Sequence, residues 1–197
     1  MKKLIAVACL ASTVAMTAGT AVADSIAGKL GVTGKIGFLV PADNESDFLD
    51  NETDTGMVGG VGLIYGIDDR LAVELEVSQT DFGSQAGDFD VTNFSIGGQY
   101  RFAVANNQLV PYLGAGVDLL VSDYDPYFED RREVDTTIGV HASAGMDYFL
   151  LKQLALTAEA RLVVAPDADI TDNFGNHTGD FDPSSFSGTV GLRYFFN

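Results

Sequence analysis

The segment 71–80 restricts the fold more than any other stretch of this 197-residue chain. Leu71, Val73, Leu75 and Val77 occupy one alternate row, and Ala72, Glu74, Glu76, Ser78 and Thr80 the other. A period of two puts the rows on opposite faces of a β-strand. The division recurs along most of the chain, with charges confined to one row and the other almost purely apolar and aromatic. Strands of a transmembrane barrel read this way; so do those of a soluble barrel with its apolar row inward, and which row meets water needs separate argument.

The first residues indicate export. Lys2 and Lys3 precede an apolar run from Leu4 to about Met16, and Ala21, Val22 and Ala23 supply a small-residue cleavage site. Residues 1–23 are therefore expected to be a cleaved signal peptide, followed by one barrel domain at 24–197. Cys9 is the single cysteine, so the mature chain would hold no disulfide. No later stretch offers the roughly 18 consecutive apolar residues of a spanning helix, which leaves strands as the only way across a bilayer.

Alternation and turn residues together predict eight strands, at 26–40, 57–65, 71–80, 91–102, 109–121, 136–149, 154–165 and 186–196. The connections 66–70, 103–108 and 150–153 are short, whereas 41–56, 81–90, 122–135 and 166–185 are long and polar. An even strand count with strictly alternating loop length predicts an all-β fold: an eight-stranded antiparallel up-and-down transmembrane β-barrel with short periplasmic turns and long acidic external loops. Loop length also argues against the soluble alternative.

If the apolar row faces lipid, it includes Ile26, Leu30, Val32, Ile36, Leu63, Leu75, Ile96, Leu113, Val117, Ile138, Val140, Leu156, Leu162 and Leu192, none of them charged. Tyr65, Tyr100, Phe102, Tyr148, Tyr194 and Phe196 fall at the periplasmic strand ends, where an aromatic girdle belongs, and Phe38 and Phe186 serve the outer rim. The opposite row carries Lys29, Lys35, Arg101, Arg161 and Arg193 against Glu74, Glu76, Asp118, Asp147 and Glu159. Five charges of each sign suit a closed interior, because buried ions are costly unless paired and an eight-stranded lumen is just wide enough for side chains to fill. Most of these charges lie in the lower half and predict a polar plug. The lighter upper row, with Leu39, Val58, Gly60 and Leu120 beside Asp118 and His141, leaves room for a shallow, partly apolar pocket.

Twenty of the 28 acidic residues lie in the four long connections, accompanied by two arginines. The acid is external, and a fringe of this kind repels nucleic acid and attracts divalent cations such as those bridging lipopolysaccharide phosphates. Asp167, Asp169 and Asp172 come nearest to a cation motif but lack the spacing and closing glutamate of an EF-hand, so solvated loop is the favoured interpretation.

Catalytic motifs are missing from the sequence: there is no GxSxG, HExxH, Walker or CxxC pattern. His141 and Ser143 share a strand face and form the one constellation with nucleophile–base chemistry. Their parity with Gly139, Gly145 and Asp147 turns them to the lumen, where a hydrogen-bonded interior histidine is expected. No enzyme activity and no cofactor is expected.

Several segments together resemble the small eight-stranded outer-membrane barrels of the OmpW and OmpA type: Leu39-Val40-Pro41, Gln99-Tyr100-Arg101-Phe102, Val110-Pro111-Tyr112-Leu113-Gly114, Ala144-Gly145-Met146-Asp147-Tyr148-Phe149 and the closing Gly191-Leu192-Arg193-Tyr194-Phe195-Phe196. The resemblance implies an integral outer-membrane protein in contact with lipid and lipopolysaccharide, with a final strand read by the barrel-assembly machinery. It implies either a narrow channel for small apolar solutes, as thought for OmpW-like proteins, or an envelope or adhesive role. Lipid A deacylase barrels, which use a His and Ser pair on a lipid-facing row of the next-to-last strand, do not match the parity here.

Overall fold

The computed structural model describes residues 25–42, 55–83, 87–106, 108–126, 132–171 and 177–196. Its strands are β1 (Leu30–Pro41), β2 (Gly56–Gly66), β3 (Leu71–Gly83), β4 (Gly87–Arg101), β5 (Leu109–Pro126), β6 (Arg132–Val134), β7 (Thr137–Phe149), β8 (Leu154–Val164), β9 (Ala168–Thr171), β10 (His177–Phe181) and β11 (Ser185–Phe195). Eight of them, β1 to β5 with β7, β8 and β11, pair antiparallel with their neighbours, and β1 pairs with β11 to close the barrel. Closure removes both free edges and so satisfies every wall strand within lipid.

Register turns local alternation into a continuous surface. Val32 pairs with Leu63, Leu63 with Leu75, Leu75 with Ile96, Ile96 with Val117 and Val117 with Val140. All six are exposed, forming an apolar band that climbs around the outside. The opposite row is buried and rich in polar and charged side chains, from Thr33 and Lys35 to Glu159, Arg161 and Arg193. An inside-polar, outside-apolar cross-section is stable only with lipid outside.

Two expectations at the start of the first strand fail together. Gly28 has φ +73°, a left-handed conformation that glycine adopts at little cost, and the regular strand begins only at Leu30. The turn breaks the parity, so Ile26 is buried and not lipid-facing. It packs with Ile64, Ala72, Phe149, Ala155 and Phe195, and Phe149 and Phe195 stack at 6.0 Å between ring centres. These residues plug the periplasmic end with apolar side chains. Lys29, just before β1, is half-buried, and its carbonyl accepts from the Gly66 amide.

The long connections also contain more structure than their composition suggests. Strands β3, β4 and β5 run past the ends of their neighbours, and β6, β9 and β10 extend that wall in the order β5-β6-β9-β10. These three segments are short, at three to five residues, and no apolar row announces them.

Candidate functional site

The lumen has two storeys built from one set of strands. In the lower storey, four cations, Lys35, Arg101, Arg161 and Arg193, meet five carboxylates, Glu74, Glu76, Asp118, Asp147 and Glu159, all buried. Asp147 holds two of the cations: Arg101 Nη2 donates to its Oδ2 at 2.6 Å and Arg193 Nη1 to the same oxygen at 2.9 Å. Arg193 also donates through Nη2 to Glu74 Oε1 (2.9 Å) and through Nε to Thr33 Oγ1 (2.9 Å). A buried guanidinium with donors spent on three different strands is held in one place.

Above this lies a second cluster. Lys35 Nζ sits 3.2 Å from Glu159 and also pairs with Glu76, while Arg161 reaches Glu76 Oε1 at 3.2 Å and Glu159 Oε1 at 3.0 Å. Tyr112 links the two clusters. Its hydroxyl donates to Glu159 Oε2 at 3.0 Å, and Arg193 and Arg101 lie over its ring at 5.6 and 5.9 Å from the centroid, within cation–π range. Gly145 makes room for this ring, since a side chain there would collide with Tyr112.

His141 Nδ1 lies 2.6 Å from Asp118 Oδ2, and Asn93 Nδ2 donates to the other carboxylate oxygen at 2.8 Å. With Ser143 it faces a small polar pocket also bordered by Ser95, Glu159 and Arg161. Among the described residues no hydrogen bond joins His141 to Ser143, and the imidazole is engaged by Asp118.

The lumen residues expected from sequence thus come together, with Lys29 half-buried at the foot of the same row, just before β1. Of the girdle, Tyr65, Tyr100, Phe102, Tyr148 and Phe196 are exposed at the lower rim and Tyr194 is half-buried. Tyr100 meets Phe102, and Tyr194 meets Phe196, edge to face at 5.0 and 5.3 Å. Asp167 is exposed before β9, Asp169 is in β9, and Asp172 lies outside the described residues. Among the described residues no group of three acidic, histidine or cysteine side chains is placed to hold a metal.

The upper storey is lined by smaller side chains. Among the described residues a pocket extends from a floor of Glu76, Glu159 and Arg161 to the outer rim at Pro41, Asp182 and Pro183. Leu39, Val58, Val91, Leu120 and Val163 supply apolar wall, and Ser78, Thr80, Ser185, Ser187 and Thr189 supply hydroxyls. Leu39, Val58 and Leu120 are where the sequence places them, whereas Asp118 and His141 lie lower. Tyr112 and Gln99 had no assigned role: they share the lumen row with Asp118 and Arg101, so parity places them, but only the fold shows what they touch.

Comparison with known proteins follows the same architecture. The family described as outer membrane protein beta-barrel domain matches residues 6–197. No curated protein matches the sequence significantly. Among solved structures, the outer membrane protein OprG from Pseudomonas aeruginosa superposes with a TM-score of 0.69 at 19% identity, covering 87% of this chain and 97% of that one. Neisserial surface protein A gives 0.68 at 17% identity, covering 85% and 97%. Outer membrane protein W of Escherichia coli gives 0.53 at 18% identity, covering 86% and 98%. At these identities the likeness is one of fold.

Proposed function

The chain belongs to the outer membrane protein beta-barrel domain family and is an integral outer-membrane β-barrel protein, and from that premise we propose that its upper lumen is a vestibule for small, largely apolar solutes. The observation that carries this is the pocket, part apolar and part hydroxylated, that reaches the outer rim and stops on an ion cluster. A concave site with an apolar wall and a few polar groups is the usual form of a small-molecule site. The lower storey restricts passage: Lys35, Arg161, Glu76 and Glu159 cross-link the barrel interior and limit exchange to small solutes, passively. The protein is non-enzymatic in this proposal, since the histidine of its one histidine–serine constellation is hydrogen-bonded to Asp118 and not to Ser143.

Planar-bilayer conductance tests the proposal. Discrete small openings, altered by Glu159→Gln or Arg161→Gln, are expected, because each change removes one side of the cluster that blocks the lumen. Silence in the wild type and in both variants would contradict it.

A second role finds support in the wall of β5, β6, β9 and β10, which projects a hydrogen-bonded surface beyond the barrel. With the acidic connections it would act as a structural or adhesive surface, recruiting divalent cations that bridge lipopolysaccharide phosphates. Loss of cell or cation binding on deleting residues 167–181, with no conductance in any variant, would favour this role over transport.

A further inference from the structure

We infer that the vestibule selects its solute by head-group charge: it takes short uncharged amphiphiles carrying one hydroxyl and excludes their carboxylates. This rests on the vestibule being a solute site, and it adds the chemical class. The floor is the first ground. Lys35 and Arg161 are the cations nearest the cavity, and both are committed to Glu76 and Glu159. Arg161 also donates to Ser95 Oγ at 3.4 Å. A solute carboxylate arriving there meets cations already neutralised by two buried glutamates. Displacing a glutamate would strand it without its partner in a low-dielectric interior, which is costly.

The rim is the second ground. Asp182 lines the upper cavity, and among the described residues no lysine or arginine does so above Arg161. The connections around the mouth hold most of the acidic residues of the chain. An anion is therefore repelled on approach and unrewarded on arrival. The wall is the third ground. Ser187 and Thr189 on β11 and Ser78 and Thr80 on β3 alternate with Leu39, Val58 and Leu120, so hydroxyl partners lie beside apolar surface throughout. An alkanol satisfies both, burying its chain while its hydroxyl exchanges hydrogen bonds with serine or threonine. A pure hydrocarbon uses the apolar part alone.

The test uses the whole mature protein in lipid nanodiscs, with methyl NMR of Leu39, Val58, Leu120 and Val163 as lumen reporters and of Leu63 and Leu75 as lipid-facing controls. Titration with 1-hexanol is expected to shift the lumen methyls saturably. Hexanoate at pH 8 should bind at least about tenfold more weakly. Glu76→Gln releases one cation of the floor and should admit hexanoate, and Ser187→Lys, which adds a spare cation in open space, should do so even if the first variant fails to fold. Equal binding of hexanol and hexanoate by the wild type would overturn the charge selection while leaving the vestibule as a solute site. Shifts confined to Leu63 and Leu75 with every probe would mean partition into lipid alone and would overturn both.

Discussion

The lower and upper lumen are made from the same strands and the same inward row, yet one is filled and the other open. In β3 the row runs Glu74, Glu76, Ser78, Thr80, and in β8 it runs Glu159, Arg161, Val163. Long ionic side chains end on both strands at the same storey, and small or branched ones replace them above it. Strand number fixes the width of the barrel, so the volume and charge of inward side chains decide whether a given depth is plug or pocket. The plug is also a structural element. Its arginines and carboxylates are buried, and each is tolerable only through its partners.

Breaking the plug should therefore cost most. Asp147→Ala leaves Arg101 and Arg193 facing each other without their shared carboxylate, and should destabilise the barrel by about 3–5 kcal/mol, measured by urea unfolding in lipid vesicles. A loss below about 1 kcal/mol would mean that water or Glu74 replaces the partner readily. Next comes the outer surface. Leu75→Arg puts a charge in the apolar band and should cost about 2–4 kcal/mol, given its position midway along β3. Ser78→Arg, on the inward row beside the open cavity, should cost less; equal costs would contradict the assigned faces.

The smallest effect concerns a periplasmic turn. The backbone amides of Arg70 and Leu71 each donate to Asp68 Oδ1 at 2.7 Å, and these bonds hold the carboxyl below its ordinary pKa. The folded value is depressed, so the contribution is fully present above the unfolded carboxylate range and is lost as pH falls through the folded value. Asp68→Ala should remove that acid-sensitive part, seen as a slightly flatter stability profile below pH 4 than in the wild type.

The eight wall strands and their faces were legible because a bilayer imposes them: each wall strand needs an apolar side, and a charge there is penalised. Where that pressure ends, the pattern ends too. Strands β6, β9 and β10 are short extensions paired outward from β5 and held by backbone pairing, which leaves no alternation to detect. Ile26 was misplaced for a different reason, since a parity count carries across a turn that resets it, and Gly28 is that turn. Parity also names a face without naming a partner. Arg193 and Asp147 were both placed inside, but their pairing depends on the tilt and closure of the barrel. Tyr112 shares the lumen row with Asp118, yet tyrosine in such a chain suggests the girdle, and only the space left by Gly145 reveals it as the link between the two ion clusters.

The division between plug and vestibule is tested most directly by thiol accessibility. Cys9 is the one cysteine of the sequence, so Val58→Cys and Thr157→Cys each introduce a single thiol into the mature domain. Val58 lines the upper cavity and Thr157 is buried beside Asp147 in the lower storey. With an impermeant maleimide added to the outer face of intact cells, Val58→Cys should label and Thr157→Cys should stay protected until the barrel is unfolded. Labelling of both at similar rates would show a lumen open from end to end and would contradict the account.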